Sequence, residues 1–229
     1  MRAFFYTADA EIGDCVNLEK DEHNHLFKIL RARAGESVLL LDGKGRKMMA
    51  EIQEDKSLKI VSVQHCEAQK QKIYVFTAAP RKQKLDILLK QCCELGVDGI
   101  GIMQCDYSVA NPENINRFRE LLIEGCKQSN NPFLPEIIGP LKFKQAMEYV
   151  VENNMTGTYG AVGGAEEGKD RLKKAEKLAF FVGPEGGFSP AELESITDAG
   201  FTGISLSPYI LRLETAVAGA IPLLREFMK

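Results

Sequence analysis

From Ile73 onward the chain alternates short apolar runs with amphipathic stretches, and this alternation restricts the fold more than any other feature. Residues 73–78 read as an apolar strand, and residues 84–95 place Leu85, Leu88, Leu89, Cys92 and Leu95 on one helical stripe that ends at Gly96. Residues 97–103 supply the next strand. Asn111-Pro112 opens a helix on which Phe118, Leu121, Leu122, Gly125 and Cys126 share a face, and residues 142–151 form a third helix. Strands at 158–162, 178–182 and 202–206, a helix over 190–199 and a last helix from about Leu213 complete the series. Pro222 should kink or shorten that last helix. Such alternation predicts an α/β fold with a mostly parallel sheet covered by helices on both faces, where ligands bind beyond the carboxyl ends of the strands.

The first third has a different pattern. Residues 2–7, 37–41 and 58–63 read as strands, the turn Asp42-Gly43-Lys44-Gly45 leads into alternating Met48, Ala50 and Ile52, and residues 21–33 carry Leu26, Ile29 and Leu30 at helical spacing behind a candidate Asp21 cap. The segment 64–72 is polar and aperiodic, so the boundary is placed there: a small, mainly β domain over 1–68 and an α/β domain over 69–229.

Charge excludes one easy assignment. With 29 Lys and Arg against 32 Asp and Glu the net charge is −3, so no overall basic field advertises a nucleic-acid partner and any such contact must be local. The 6 cysteines form no CxxC pair and only 3 histidines are present, so reduced thiols and no metal are expected. No apolar run approaches the ~20 residues that span a bilayer, and the reading is a cytoplasmic protein without membrane contact.

Two segments carry chemistry. In Val182-Gly183-Pro184-Glu185-Gly186-Gly187-Phe188-Ser189-Pro190 an apolar strand enters a glycine-rich turn, and Ser189 with Glu192 forms a capping box at the start of the next helix. Glycines let backbone approach a ligand and leave amide N–H groups to donate to it. The second segment, Leu206-Ser207-Pro208-Tyr209-Ile210-Leu211-Arg212-Leu213-Glu214-Thr215-Ala216, leaves the same edge of the same sheet. Taken alone, Arg212 and Glu214 are equally well read as an ordinary ion pair beside a capping Thr215.

Together these residues resemble the RsmE family of 16S ribosomal RNA uridine-N3 methyltransferases, in the SPOUT superfamily. GPEGG over 183–187 followed by ILRLETA over 210–216 is similar to the family's paired loops. His25-Leu26 through Arg31 with Gly35-Glu36, Lys84 through Glu94-Leu95-Gly96-Val97, and Gln128-Ser129 with Pro135 resemble its other motifs in order. The resemblance implies an amino-terminal PUA-like β-barrel, a carboxy-terminal SPOUT domain with a trefoil knot, and a homodimer acting on 16S ribosomal RNA or the small ribosomal subunit.

It also implies S-adenosylmethionine as cofactor. Tyr159, Val162, Val182, Gly183, Pro184, Glu185, Gly186 and Gly187 from the first two loops, with Leu206, Ser207, Ile210, Leu211, Thr215 and Ala216 from the last, are its candidate contacts. Arg212 and Glu214 are the candidate catalytic residues, and Arg2, His25, Arg31, Arg33, Arg81, Lys82 and Lys84 the candidate RNA contacts. Three positions depart from the pattern, with Tyr107, Asn131 and Tyr209 standing where arginine is expected. Each loses a phosphate or base contact, although tyrosines can instead stack on splayed bases. These losses keep open a second class of function, a non-catalytic RNA-binding or ribosome-assembly factor on the same fold. A Rossmann-type reading of Tyr159-Gly160-Ala161-Val162-Gly163-Gly164 ranks last, because the full GxGxxG is absent.

Overall fold

The computed structural model describes residues 2–80, 82–109, 115–161 and 169–229, with the side chains of Lys82, Ile115 and Lys169 left out. The chain divides into two units: Met1–Ala68 with Ile123–Leu134, and Gln69–Leu122 with Pro135–Lys229. Residues 123–134, expected in the second domain, thus group with the first.

The first unit contains β1 (Ala3–Phe5), β2 (Cys15–Val16), α1 (Lys20–Asn24), β3 (Ser37–Leu41), β4 (Arg46–Ile52) and β5 (Leu58–His65). These form a five-stranded mixed sheet in the order β1-β3-β4-β5-β2, with β1 parallel to β3 and the other pairs antiparallel. Alternation along β3, β4 and β5 turns Val38, Leu40, Met48, Ala50, Ile52, Leu58 and Ile60 into one core with Phe4 and Leu26. The β3–β4 turn is closed by Asp42, whose Oδ1 accepts from the Lys44 and Arg46 amides at 2.7 and 2.9 Å.

The helix expected over 21–33 is shorter and differently wound. Glu19 rather than Asp21 occupies the N-cap, and residues His25–Ile29 form a π-helical turn in which the Leu30 amide donates to the His25 carbonyl at 2.9 Å. Arg31, at φ +52°, then ends it. The 123–134 segment is bound into this unit by Lys127, whose Nζ lies 2.7 Å from Glu22 and 5.5 Å from the centre of the Phe4 ring.

The second unit runs β6 (Lys72–Ala78), α2 (Lys82–Glu94), β7 (Gly99–Gln104), α3 (Ile115–Ser129), β8 (Glu136–Lys142), α4 (Phe143–Glu152), β9 (Thr156–Gly160), α5 (Lys169–Lys173), β10 (Lys177–Val182), α6 (Pro190–Asp198), β11 (Thr202–Ile204) and α7 (Leu213–Phe227), with α3 continuing into the first. The six strands are all parallel, in the order β11-β9-β10-β6-β7-β8. This is the α/β architecture and parallel sheet expected from the alternation. The strand β8 carries no clear strand signal in the sequence because Gly139-Pro140 interrupts it; its place at the sheet edge is where proline is tolerated.

One face of the sheet is aromatic. Tyr74, Phe76 and Phe181 pack with Met103, Ile138, Ala146 and Val150 under α4. Glycines on neighbouring strands make room for these rings: a Cβ on Gly99 would lie 2.5 Å from Tyr74, one on Gly101 2.3 Å from Phe76, and one on Gly157 2.3 Å from Phe201. On α7, Val217, Ala220, Ile221 and Leu224 are buried, and the helix continues past Pro222 to Phe227. The expected shortening does not occur, because buried side chains anchor both halves across the single missing backbone hydrogen bond.

Candidate functional site

The carboxyl ends of the parallel strands gather the segments singled out from the sequence. The Ser189–Glu192 pair forms the capping box expected of it and does more. The Glu192 carboxylate is 5 % exposed as a residue, accepts from the Ser189 amide at 2.8 Å, and also accepts from the Asp106 amide at 2.9 Å in the loop after β7. Ser189 Oγ donates to Asp106 Oδ2 at 2.6 Å. Two loops that are 83 residues apart in sequence are thereby fixed together, and Tyr107 packs against the glycine turn, with its Cβ 3.2 Å from where a Cβ on Gly186 would stand. Sequence spacing could not show Asp106 as part of this network. Burial, with the Glu192 and Asp106 carboxylates beside it, pushes the Cys105 thiol up to about 12, so Cys105 stays protonated and inert.

Within the turn, Val182 and Pro184 are buried and Gly183 is confined, since a Cβ there would meet the Gly187 and Phe188 backbone at 3.2 Å. Gly187 adopts φ +76° with open space around its Cβ position. Glu185, Gly186 and Gly187 are exposed. The turn is thus rigid at its base and open at its tip.

Lys84, at the start of α2, joins this turn to the loop entering α7. Its Nζ lies 4.0 Å from Glu185 and 4.0 Å from Glu214. Glu214 thus pairs with Lys84 and not with Arg212, against the reading of those two residues as a simple ion pair. Arg212 instead holds the N-cap position with extended backbone, exposed and without a side-chain hydrogen bond or ion pair among the described residues, and Thr215 lies inside the helix rather than capping it. Glu214 Oε2 is buried and has no hydrogen-bond partner among the described residues. A buried carboxylate oxygen without a donor is costly, and a ligand hydroxyl or amine meeting it would recover that cost.

The remaining candidates fall as follows. Leu206, Ser207, Leu211 and Ala216 are half-buried and Ile210 is exposed. Tyr159, at the end of β9, directs its ring against Gly203, whose Cβ position is 3.2 Å from the Tyr159 hydroxyl. Its side chain is a packing element of the sheet face, leaving its backbone to border the loops. Arg2, His25, Arg31 and Arg33 are exposed on the first unit, where Arg2 lies 3.8 Å from Glu36. Val162, Arg81 and the Lys82 side chain, with Gly163 and Gly164 of the Rossmann-type reading and Asn111-Pro112, lie outside the described residues. Of the three departures, Tyr107 and Tyr209 are exposed at the loops, whereas Asn131 uses its Oδ1 to accept from the Phe133 amide at 2.9 Å.

A parallel sheet whose carboxyl edge carries a cross-braced glycine turn, an open tip and an orphaned carboxylate oxygen defines an α/β enzyme domain built to enclose a small polar ligand. A family model described as "RNA methyltransferase domain" matches residues 67–225, and one described as "RNA methyltransferase PUA domain" matches residues 18–63. The "Ribosomal RNA small subunit methyltransferase E" of Mycobacterium bovis is 26% identical over 233 residues, covering 95% of this chain and 88% of the relative. A crystal structure of a probable rRNA-methyltransferase from Porphyromonas gingivalis superimposes with a TM-score of 0.79 at 26% identity, covering 100% of this chain and 98% of that one. The ribosomal RNA small subunit methyltransferase E from Neisseria gonorrhoeae, solved bound to S-adenosyl methionine, shares the fold with a TM-score of 0.87 at 24% identity over 99% of this chain and 97% of that one. The chain belongs to the RNA methyltransferase family, on the branch of ribosomal RNA small subunit methyltransferase E.

Proposed function

We propose that this protein transfers a methyl group from S-adenosylmethionine to N3 of a uridine in 16S, small-subunit ribosomal RNA. The observation that carries the reading is the convergence of the Gly183–Gly187 turn, Lys84 and Glu214 at the sheet's carboxyl edge in a chain of this family. The residues present fit the cofactor: the Gly187 amide closes the turn on the Pro184 carbonyl at 2.8 Å and leaves open space at Gly187 for a ligand to approach, and the orphaned Glu214 Oε2 suits a hydroxyl or amine. Val182 to Gly187, with Leu206, Ser207, Ile210, Leu211, Thr215 and Ala216, would hold it. When bound it supplies an electrophilic methyl on a cationic sulfur.

The chain's own groups supply positioning and charge. In-line alignment of donor and acceptor accounts for much of such catalysis, and bracing by Glu192 and Lys84 keeps the loops in register. Uracil N3 must also lose its proton, leaving negative charge on the flanking carbonyl oxygens. Arg212, permanently charged and without a protein partner among the described residues, is suited to stabilise that charge. Glu214 orients Lys84 at the same edge. Arg2, His25, Arg31, Arg33, Arg81, Lys82 and Lys84 are the proposed RNA contacts. The resemblance carries further features of the reading: domains dividing near residue 68, with the first holding RNA, a trefoil knot in the carboxy-terminal domain, a homodimer and a cytoplasmic setting. Light scattering on the purified protein tests the dimer.

A methyl at N3 blocks the pairing edge of uracil, so reverse transcription stops at the product nucleotide. Incubating the protein and S-adenosylmethionine with small-subunit RNA or assembled small subunits should produce such a stop at one position. A folded protein that binds S-adenosylmethionine and yields no stop on either substrate would favour the RNA-binding or assembly-factor reading.

A further inference from the structure

We propose that Tyr107 and Tyr209 position the RNA by stacking on nucleobases that flank the target, an inference that rests on the RNA methyltransferase reading above. Large apolar and aromatic side chains exposed among the described residues number 10, and four of them, Tyr107, Val109, Tyr209 and Ile210, lie on the loops that follow β7 and β11. Both loops leave the carboxyl edge of one sheet, on either side of the glycine turn in strand order. Exposure of this kind concentrated at a ligand-binding edge marks a contact surface.

The two rings are presented on braced backbone, and the Tyr107 ring is also packed at its base. Tyr107 is 49% exposed, yet its base is fixed against the glycine turn, where a Cβ on Gly186 would stand 3.6 Å from its ring. Its loop is pinned by the Asp106–Glu192 hydrogen bond at 2.9 Å and by the Cys105 amide, which donates to Ser108 Oγ at 2.9 Å. Tyr209 is 77% exposed on a turn closed by its own amide donating to Ser207 Oγ at 3.1 Å. A ring packed at its base, as Tyr107 is, loses little freedom when a nucleobase stacks on it, and the closed turn under Tyr209 presents its ring to solvent.

Charge at the same edge points the same way. Among the described side chains at this edge, Lys84 stands between two carboxylates, while Arg212 remains available for phosphate or for charge on the reacting base. Base–aromatic stacking adds contacts that do not depend on phosphate and that serve any sequence, beside whatever basic side chains meet the backbone.

The test uses the full-length protein, Tyr107→Ala, Tyr107→Phe, Tyr209→Ala and Tyr209→Phe, with a fluorescein-labelled single-stranded RNA of about 12 nucleotides read by anisotropy. Each alanine variant should weaken RNA binding roughly 5- to 150-fold, and each phenylalanine variant should restore it. The slope of log affinity against log salt should stay at the wild-type value, because a lost ring releases no counterions. Calorimetric affinity for S-adenosylmethionine without RNA should stay within about twofold, since the rings act on RNA. Wild-type RNA affinity in the alanine variants would overturn the proposal. So would failure of phenylalanine to restore binding, or a loss of S-adenosylmethionine affinity as large as the loss for RNA, which would make Tyr107 a prop for the glycine turn. If the wild type binds the oligomer and the alanine variants do not, yet no small-subunit RNA is methylated, stacking stands and the methyltransferase reading falls.

Discussion

Replacing Glu192 by alanine should cost far more than an ordinary helix-cap substitution, because its carboxylate serves two loops at once. One oxygen accepts from the Asp106 amide at 2.9 Å and the other from the Ser189 amide at 2.8 Å. Hydrogen bonds to a charged group contribute about 1.5–3 kcal/mol each, and removing the acceptor strands both donors in a site with little water. The two losses share one side chain and are not fully additive, so the expected destabilisation is about 3–5 kcal/mol. Ser189→Ala removes the cap that accepts from the Glu192 amide at 3.3 Å and the donor to Asp106, and should cost about 1–2 kcal/mol. Urea unfolding followed by circular dichroism measures both, since the chain has no tryptophan to report by fluorescence. A Glu192→Ala midpoint at the wild-type value, or a loss smaller than that of Ser189→Ala, would show that the two loops are not braced through this carboxylate.

Other outcomes follow from the same geometry. Gly101→Ala should destabilise by about 1–3 kcal/mol in urea unfolding, because its Cβ would stand 2.3 Å from the Phe76 ring inside a packed face. Lys84→Met should change stability by less than about 1 kcal/mol, its ion pairs being partly solvated, yet shift calorimetric preference toward the cationic S-adenosylmethionine over neutral S-adenosylhomocysteine; an unchanged ratio would separate Lys84 from the site. Arg212→Ala should leave the unfolding midpoint in place and sharply lower turnover. Burial pushes the Cys92 and Cys105 thiols up to about 12, above their unfolded values. Their contribution to stability is therefore complete below about pH 8.5 and lost as pH rises toward 12. Unfolding midpoints should fall between pH 8 and 10.5, and less steeply in a Cys92→Ala, Cys105→Ala double variant.

Much of the architecture was legible in the sequence because it rests on short-range rules. The stripe Leu85, Leu88, Leu89 and Cys92, the Ser189–Glu192 box with Pro190 behind it and the apolar run into Gly183 each encode an element locally, and α2, α6 and β10 appear where those signals stand. Parallel pairing followed from strand–helix alternation alone. The motifs around residues 183–187 and 210–216 carried the family. Tertiary structure decided what depends on partners distant in the chain. Glu214 pairs with Lys84 rather than its neighbour Arg212, Glu192 reaches Asp106, and residues 123–134 join the first unit through Lys127 and Glu22. Likewise α7 survives Pro222 because buried side chains on both sides hold it. Spacing along a chain fixes which face a side chain shares with its neighbours, whereas the partner of a charge is chosen by which loops the fold brings to the same edge.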